Sequence, residues 1–196
     1  MRNIVKTGLL SAALLVTAIV NATDKIKVTL EDGSKEVNIS VTELTFGETI
    51  NVIGKNGEEI FSKTVETSDD EYSKSFDFSK FSQGVHYVET ITKTEIKVTP
   101  FIIVPQQKKV IKGDTKTYAI PTFEYNDGVA VVTVDNKSKQ PVTISVSGSG
   151  HELDIAKDDT EESITKFYNF SSVSGGDYYI LVTVGDRSFS HKIELL

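Results

Sequence analysis

One five-residue stretch places the residue types of a hydrolytic triad side by side, Gly148-Ser149-Gly150-His151-Glu152. Triad members converge in space from separate parts of a chain, whereas neighbours in a strand point to opposite faces of its sheet. The chain has no cysteine nucleophile and no G-x-S-x-G elbow. The stretch therefore predicts a hairpin turn, and because no acid, base and nucleophile converge, we expect a protein that is not an enzyme.

Histidine spacing gives no zinc motif. His86, His151 and His191 are scattered, and neither H-x-H nor H-E-x-x-H occurs. We expect them at the surface or at strand ends, and the sequence predicts no cofactor.

Two acidic runs offer the hard oxygen ligands that calcium prefers. They occupy residues 69–71 and 158–162, in a loop that each half of the chain places before a corresponding strand. The D-x-D-x-D-G pattern of a calcium loop is absent, so a solvated loop is the simpler reading. If calcium binds, the candidate ligands are Asp69, Asp70, Asp158 and Asp159.

Three aromatic residues are candidates for stacking on a sugar ring. Phe123 and Tyr125 lie two residues apart, on one face of a predicted strand, and Tyr118 is near them. Ordinary core packing is the alternative, because aromatic residues in strands usually face the core.

The N-terminus has the pattern of a secretory signal peptide. Arg2 and Lys6 precede a short apolar run over residues 8–20, and small residues then precede a cleavage site between Ala22 and Thr23. The run is too short to span a bilayer, so we expect no stable membrane insertion after cleavage. We therefore expect residues 1–22 to be removed and the protein to be exported to the periplasm, the cell surface or the medium.

Removal of this segment, which has two basic and no acidic residues, changes the formal charge from −7 to −9. An acidic chain without a basic patch is unsuited to nucleic acid or to anionic lipid. The expected partner is instead an unknown protein or glycan at the cell envelope.

Beyond the signal segment, period-two alternation dominates, which predicts an all-β fold. Turn signals recur about every 8–12 residues, the spacing typical of β-sandwiches. A polar run after Pro105 indicates a junction. We predict two tandem immunoglobulin-like antiparallel sandwiches, over residues 23–105 and 114–196, joined by residues 106–113.

The two halves also resemble each other, which indicates duplication of one domain. FDFSKFSQGVHY in the first half corresponds to YNFSSVSGGDYY in the second. The residues assigned to this crossover motif are Phe78, Phe81, Gly84, His86, Tyr87, Phe170, Val173, Gly176 and Tyr178.

The motif is typical of a turn that closes one end of a sandwich. Glycines permit positive φ, and Val173 is placed to fill the end of the core. A tyrosine at the start of the next strand, Tyr178, corresponds to the tyrosine corner of immunoglobulin-like domains. In the first copy the equivalent residue is His86 or, if the register is shifted, Tyr87.

The second copy resembles the C-terminal sorting domains of the type IX (Por) secretion system. Gly176-Asp177-Tyr178 matches the Gly-x-Tyr of that family, and the end KIELL matches its closing strand. The resemblance covers about the last 60 residues. It implies a seven-stranded sandwich on a secreted Gram-negative protein, with this domain as a secretion signal. The whole chain is similar to small exported proteins built only of such units.

Three functions remain open at this stage. The first is a structural or adhesive role for an exported, non-enzymatic protein. The second is a glycan- or peptide-binding module that uses end loops or an edge strand. The third is a secretion signal in the second domain.

Overall fold

The computed structural model describes residues 25–30, 35–66, 71–104, 109–148 and 151–195. The predicted signal segment and its cleavage site lie outside these residues. Asp69 and Asp70 also lie outside them. Strands dominate the described chain, which confirms the all-β prediction. Among the described helices, none is long and apolar enough to cross a membrane.

The first half is a sandwich of two antiparallel sheets. One sheet has the strand order β1-β2-β5, and the other has the order β4-β3-β6-β7-β8. The strands are β1 (Ile26–Leu30), β2 (Glu36–Thr42), β3 (Thr49–Ile53), β4 (Glu59–Thr64), β5 (Glu71–Asp77), β6 (Gly84–Ile91), β7 (Glu95–Val104) and β8 (Lys109–Lys112).

The second half is also a sandwich of two antiparallel sheets, ordered β10-β11-β14 and β13-β12-β15-β16. Its strands are β10 (Thr122–Asn126), β11 (Val129–Asp135), β12 (Val142–Gly148), β13 (His151–Asp159), β14 (Ser163–Asn169), β15 (Gly176–Val184) and β16 (Arg187–Leu195). Strand for strand, this order repeats that of β1 to β7, as the duplication predicts.

Alternating side chains build each core. In β2, Val37, Ile39 and Val41 are buried while the residues between them reach solvent. They pack against apolar residues of the facing sheet, and the second sandwich has a separate cluster of the same kind. Burial of one face of each strand is the main stabilising contribution in such a fold.

The chain between the sandwiches differs from the sequence prediction in two ways. Lys109–Lys112, inside the predicted junction, forms β8 and pairs with β7 of the first sandwich. The stretch TYAIPTFEY at residues 117–125, which the sequence alone predicts as one strand, is two strands, because Pro121 has no N–H for a ladder bond. The first of these, β9 (Lys116–Ala119), pairs with β7, and only β10 belongs to the second sandwich.

Candidate functional site

The repeated crossover is built in the same way in both sandwiches. The backbone N–H of Ser79 donates to Asp77 Oδ1 at 2.8 Å, and that of Ser171 donates to Asn169 Oδ1 at 2.8 Å. Such side-chain-to-backbone bonds stabilise a turn two residues long. A glycine with positive φ then begins the next strand in each copy, at 145° in one and 143° in the other.

His86 occupies in the first sandwich the position that Tyr178 holds in the second. The Tyr178 hydroxyl donates to the carbonyl oxygen of Ser174 at 2.8 Å. In the same way, His86 Nε2 lies 2.8 Å from the carbonyl oxygen of Ser82. Because a carbonyl oxygen only accepts, His86 carries its proton on Nε2. His86 is fully buried, whereas Tyr87 is 36% exposed on the opposite face of β6.

The prediction that Val173 fills the end of the core is wrong. Val173 is 37% exposed, while Phe81 at the equivalent position is buried among Phe76, His86 and Phe101. In the second sandwich the larger Tyr178 ring packs edge-on against Phe170 and occupies that space. The side chain of Phe78 lies outside the described part of the chain.

Gly148 leaves room for the Tyr178 ring. A Cβ at Gly148 would lie 2.2 Å from Cδ1 of Tyr178, which is held by packing and by its hydroxyl bond. Gly148→Ala is therefore expected to lower the free energy of unfolding by about 1–3 kcal/mol, the usual cost of overpacking.

The equivalent glycine of the first sandwich supplies a matched control. The atoms nearest to a Cβ at Gly54 belong to the end of the flexible Glu58 side chain, which can move aside, so Gly54→Ala should cost less than about 1 kcal/mol. Urea denaturation of the two variants measures the difference. Equal losses would contradict the packing assigned to Tyr178.

The candidate calcium ligands are not brought together by the part of the chain that the structure describes. Asp158 and Asp159 are the last residues of β13, not loop residues as predicted, because Asp159 pairs with Val142 in the sheet. The Asp159 carboxylate accepts the N–H of Glu161 at 3.0 Å. Among the described residues, no group of three metal-binding side chains is close enough to hold an ion. The side chain of Asp158 is outside the described set.

The three aromatic candidates do not share a surface. The Phe123 ring stacks on His191 at 4.8 Å, between the two sheets of the second sandwich. Tyr118 is buried beside the first sandwich, and Tyr125 is 39% exposed at the edge of the second. No two exposed aromatic side chains occupy paired positions in the described strands.

The most distinctive surface is the outer face of the first sandwich, which includes Tyr87 of the crossover. Val85 on β6 pairs with Ile102 on β7, and Ile102 pairs with Ile111 on β8. Directly paired residues share a face, so the three side chains lie side by side. All three are at least 38% exposed. We call Val85, Ile102 and Ile111 the apolar row; Tyr87 and Pro100 form the next pair along the sheet.

The positions of the second sandwich that are equivalent to Val85, Ile102 and Pro100 carry charged residues, while Tyr179 and Leu181 are also exposed on that face. Asp177 and Glu194 occupy the positions of Val85 and Ile102, and Lys192 occupies that of Pro100. Lys192 Nζ lies 2.9 Å from an Asp177 carboxylate oxygen and 3.7 Å from one of Glu194. Two copies of one fold thus differ at these three positions, and the second copy shows that the fold does not require an apolar row.

The apolar row continues a buried interface. Farther along the same sheet face, Ile96, Val98 and Tyr118 are buried, and Phe189 of the second sandwich packs against them. The second sandwich therefore covers one part of this face and leaves the apolar row exposed.

A cleft of about 600 Å³ lies on the outer face of the first sandwich, between the part that the second sandwich covers and the exposed apolar row. The first sandwich contributes Tyr87, Glu89 and Pro100 to its walls, and the β15–β16 hairpin contributes Asp186 and Arg187. The Arg187 guanidinium pairs with the Glu89 carboxylate, so the two formal charges compensate each other.

Tyr118 remains a neutral phenol at the bottom of this interface. Burial, a hydrogen bond with Asp186 and the Asp186 charge raise its pKa to about 12. Arg187 Cζ lies 5.6 Å from the ring centroid, within range of a cation–π contact. The described lining has no histidine, serine or threonine. Its chemistry suits the binding of an apolar group between fixed polar side chains.

The raised pKa of Tyr118 gives a pH dependence with a defined sign. A group whose pKa is higher in the folded than in the unfolded chain stabilises the fold at any pH below its pKa in the unfolded chain, which is near 10 for tyrosine. That contribution is lost as the pH rises through the pKa of Tyr118 in the folded chain, about 12. Tyr118→Phe should therefore reduce the loss of thermal stability between pH 10 and 12, as measured by circular dichroism. The same loss in both proteins would contradict the assignment.

Comparisons with known proteins give no family. No family model matches the chain, and no curated protein matches it. Among solved structures, a biofilm-associated protein's BSP domain is 16% identical, over 87% of this chain and 29% of that chain, with a TM-score of 0.27. A beta-glucuronidase from an uncultured Clostridium sp. is 10% identical, over 84% and 35% respectively, with a TM-score of 0.29. The chain thus spans about a third of the length of these solved chains. At such TM-scores neither likeness indicates a shared activity or partner.

The apolar row is not predicted from the sequence, although one signal for it is present. The end of β7 reads FIIV, and its continuous apolar run is typical of a strand that contacts other groups on both faces. Residues 106–113 are predicted as a junction, so the sequence alone does not place Ile111 on a strand.

Proposed function

We propose that this chain is an exported, non-enzymatic interaction protein that holds a protein partner at the cell envelope through the apolar row. The difference between the two copies carries this proposal. At three equivalent positions the second sandwich has the ion-paired residues Asp177, Lys192 and Glu194, whereas the first has Val85, Pro100 and Ile102. Because exposed apolar clusters mark interaction sites, the first surface is the one expected to contact a partner.

The partner chemistry follows from the surroundings of the row. Its three side chains are aliphatic, and Lys109 is exposed beside Ile111 on the same strand. A partner that presents an apolar or aromatic anchor with an acidic rim matches this surface in shape and charge. The cleft next to the row can receive the end of such an anchor.

Export is supported by the N-terminal pattern and by the resemblance of the second sandwich to sorting domains. A glycan partner has less support, because stacking on sugars uses aromatic faces and the apolar row is aliphatic. We therefore favour a protein.

The residues of the second sandwich provide a test that preserves the fold. The variant Val85→Asp/Pro100→Lys/Ile102→Glu gives the first sandwich the three charged residues of the second. Immobilised wild-type protein should retain a partner from a detergent extract of the envelope of the producing cell, and the variant should retain at least about tenfold less.

Phe167→Ser is the matched control, because Phe167 is 69% exposed on a different sheet. It should retain the partner as the wild type does. Equal retention by the triple variant and the wild type would overturn the proposal.

A further inference from the structure

The last strand, β16, is an edge strand that no bulge interrupts. Within the described residues it pairs only with β15, over nine residue pairs without a register shift. The opposite edges of the two larger sheets, β4 and β13, both contain register shifts. Bulges of that kind discourage pairing with another chain. Strand β16 therefore presents a long and regular edge.

The first sandwich shows what occupies the same edge. Strand β7 corresponds to β16, and its outer edge pairs with β8 at one end and with β9 at the other. Val110 of β8 packs against the core of the first sandwich, and β8 lies against β1. In the second sandwich the equivalent place beside Ile193, Glu194 and Leu195 has no strand among the described residues.

The free edge has its hydrogen-bonding groups in known positions. The β15–β16 hairpin has a two-residue turn, so its closing pair, Val184 and Arg187, exchanges backbone hydrogen bonds. Alternation then directs the N–H groups of Lys192 and Glu194 away from β15. In β7 the carbonyl oxygen of Pro100, which corresponds to Lys192, accepts the N–H of Gly113 at 2.8 Å on that outer side.

We propose that β16 accepts an extended strand from another polypeptide, antiparallel to it, at Ile193–Leu195. The paired positions of β8 define the side chains of this strand. The counterpart of Val110 is apolar and faces the end of the core, next to Leu195. The counterpart of Ile111 lies beside the Glu194 carboxylate, where a lysine or arginine complements the charge.

A synthetic peptide of residues 109–119 carrying Ile111→Lys is the probe. Labelled with a fluorophore and added to the full chain, it should show saturable binding in fluorescence anisotropy. Glu194→Pro removes the outward N–H that pairs with the strand, while an edge position tolerates proline. This variant should weaken binding by at least about tenfold.

Lys192→Pro is the matched control, because β7 itself has Pro100 at that position and still pairs on both sides of it. It should change peptide affinity less than about threefold. Circular dichroism and melting temperature verify that both variants are folded.

Two results would overturn the proposal. One is the absence of saturable peptide binding, or binding that Glu194→Pro leaves unchanged. The other is a dimer of the chain alone that Glu194→Pro dissociates in sedimentation, because a second copy would then occupy the edge instead of another polypeptide.

Discussion

Lys25→Met is expected to lower the free energy of unfolding of the first sandwich by about 3–5 kcal/mol, the usual cost of removing one partner of a buried ion pair. Lys25 Nζ lies 2.6 Å from Glu48 Oε1, and the Glu48 side chain is fully buried. The other carboxylate oxygen accepts the N–H and the hydroxyl of Thr45. Without Lys25, the buried carboxylate would keep these two neutral donors as its partners among the described residues.

Urea denaturation followed by circular dichroism measures this loss. Lys137→Met is the control, because the ion pair of Lys137 with Asp135 is exposed and its loss should not be measurable. Adding Glu48→Gln to Lys25→Met should restore part of the stability, because a neutral amide is less costly to bury than a carboxylate. A Lys25→Met protein as stable as the Lys137→Met protein would show that the pair is not structurally important.

Phe81→Ala should destabilise the first sandwich by about 3–5 kcal/mol, because truncating a buried phenylalanine leaves a cavity. The Phe81 ring lies 5.1 Å from His86, 5.6 Å from Phe101 and 5.9 Å from Phe76, measured between centroids. These rings close one end of the sandwich together. Their packing also fixes the position of His86.

The duplicated chain again contains the control. Val173 corresponds to Phe81 but is 37% exposed, so Val173→Ala should cost less than about 1 kcal/mol. The comparison uses urea denaturation of both variants. Similar losses for the two would mean that the crossovers close both sandwiches in the same way, contrary to the structure.

The strands were the most predictable feature of this chain. Alternation along a half-buried strand is a local signal, and it predicts strands over residues 35–41, 85–92 and 178–184, within two residues of the observed ends of β2, β6 and β15. Their alternation predicts one shared face for Tyr178, Ile180, Val182 and Val184, and all four are buried.

What the sequence left open depends on contacts between distant residues. The choice between His86 and Tyr87 depended on a register that only the pairing with Phe101 fixes. Glu48 and Lys25 are far apart in sequence, so no local pattern indicated their ion pair.

The candidate site was harder to predict than the fold. The row joins three strands, and its third strand, β8, has only four residues with a lysine at each end. Such a segment is too short for a clear periodic signal. Only the paired positions of β6, β7 and β8 bring Val85, Ile102 and Ile111 together.

Site-specific photo-crosslinking in the producing cell tests the central claim most directly. A photoreactive residue is placed at Ile102 in one protein and at Phe167, which is exposed on a different sheet, in another. We expect a light-dependent adduct with another protein from position 102 and none from position 167. No adduct from position 102, or the same adduct from both positions, would contradict the assignment of the apolar row as the surface that binds the partner.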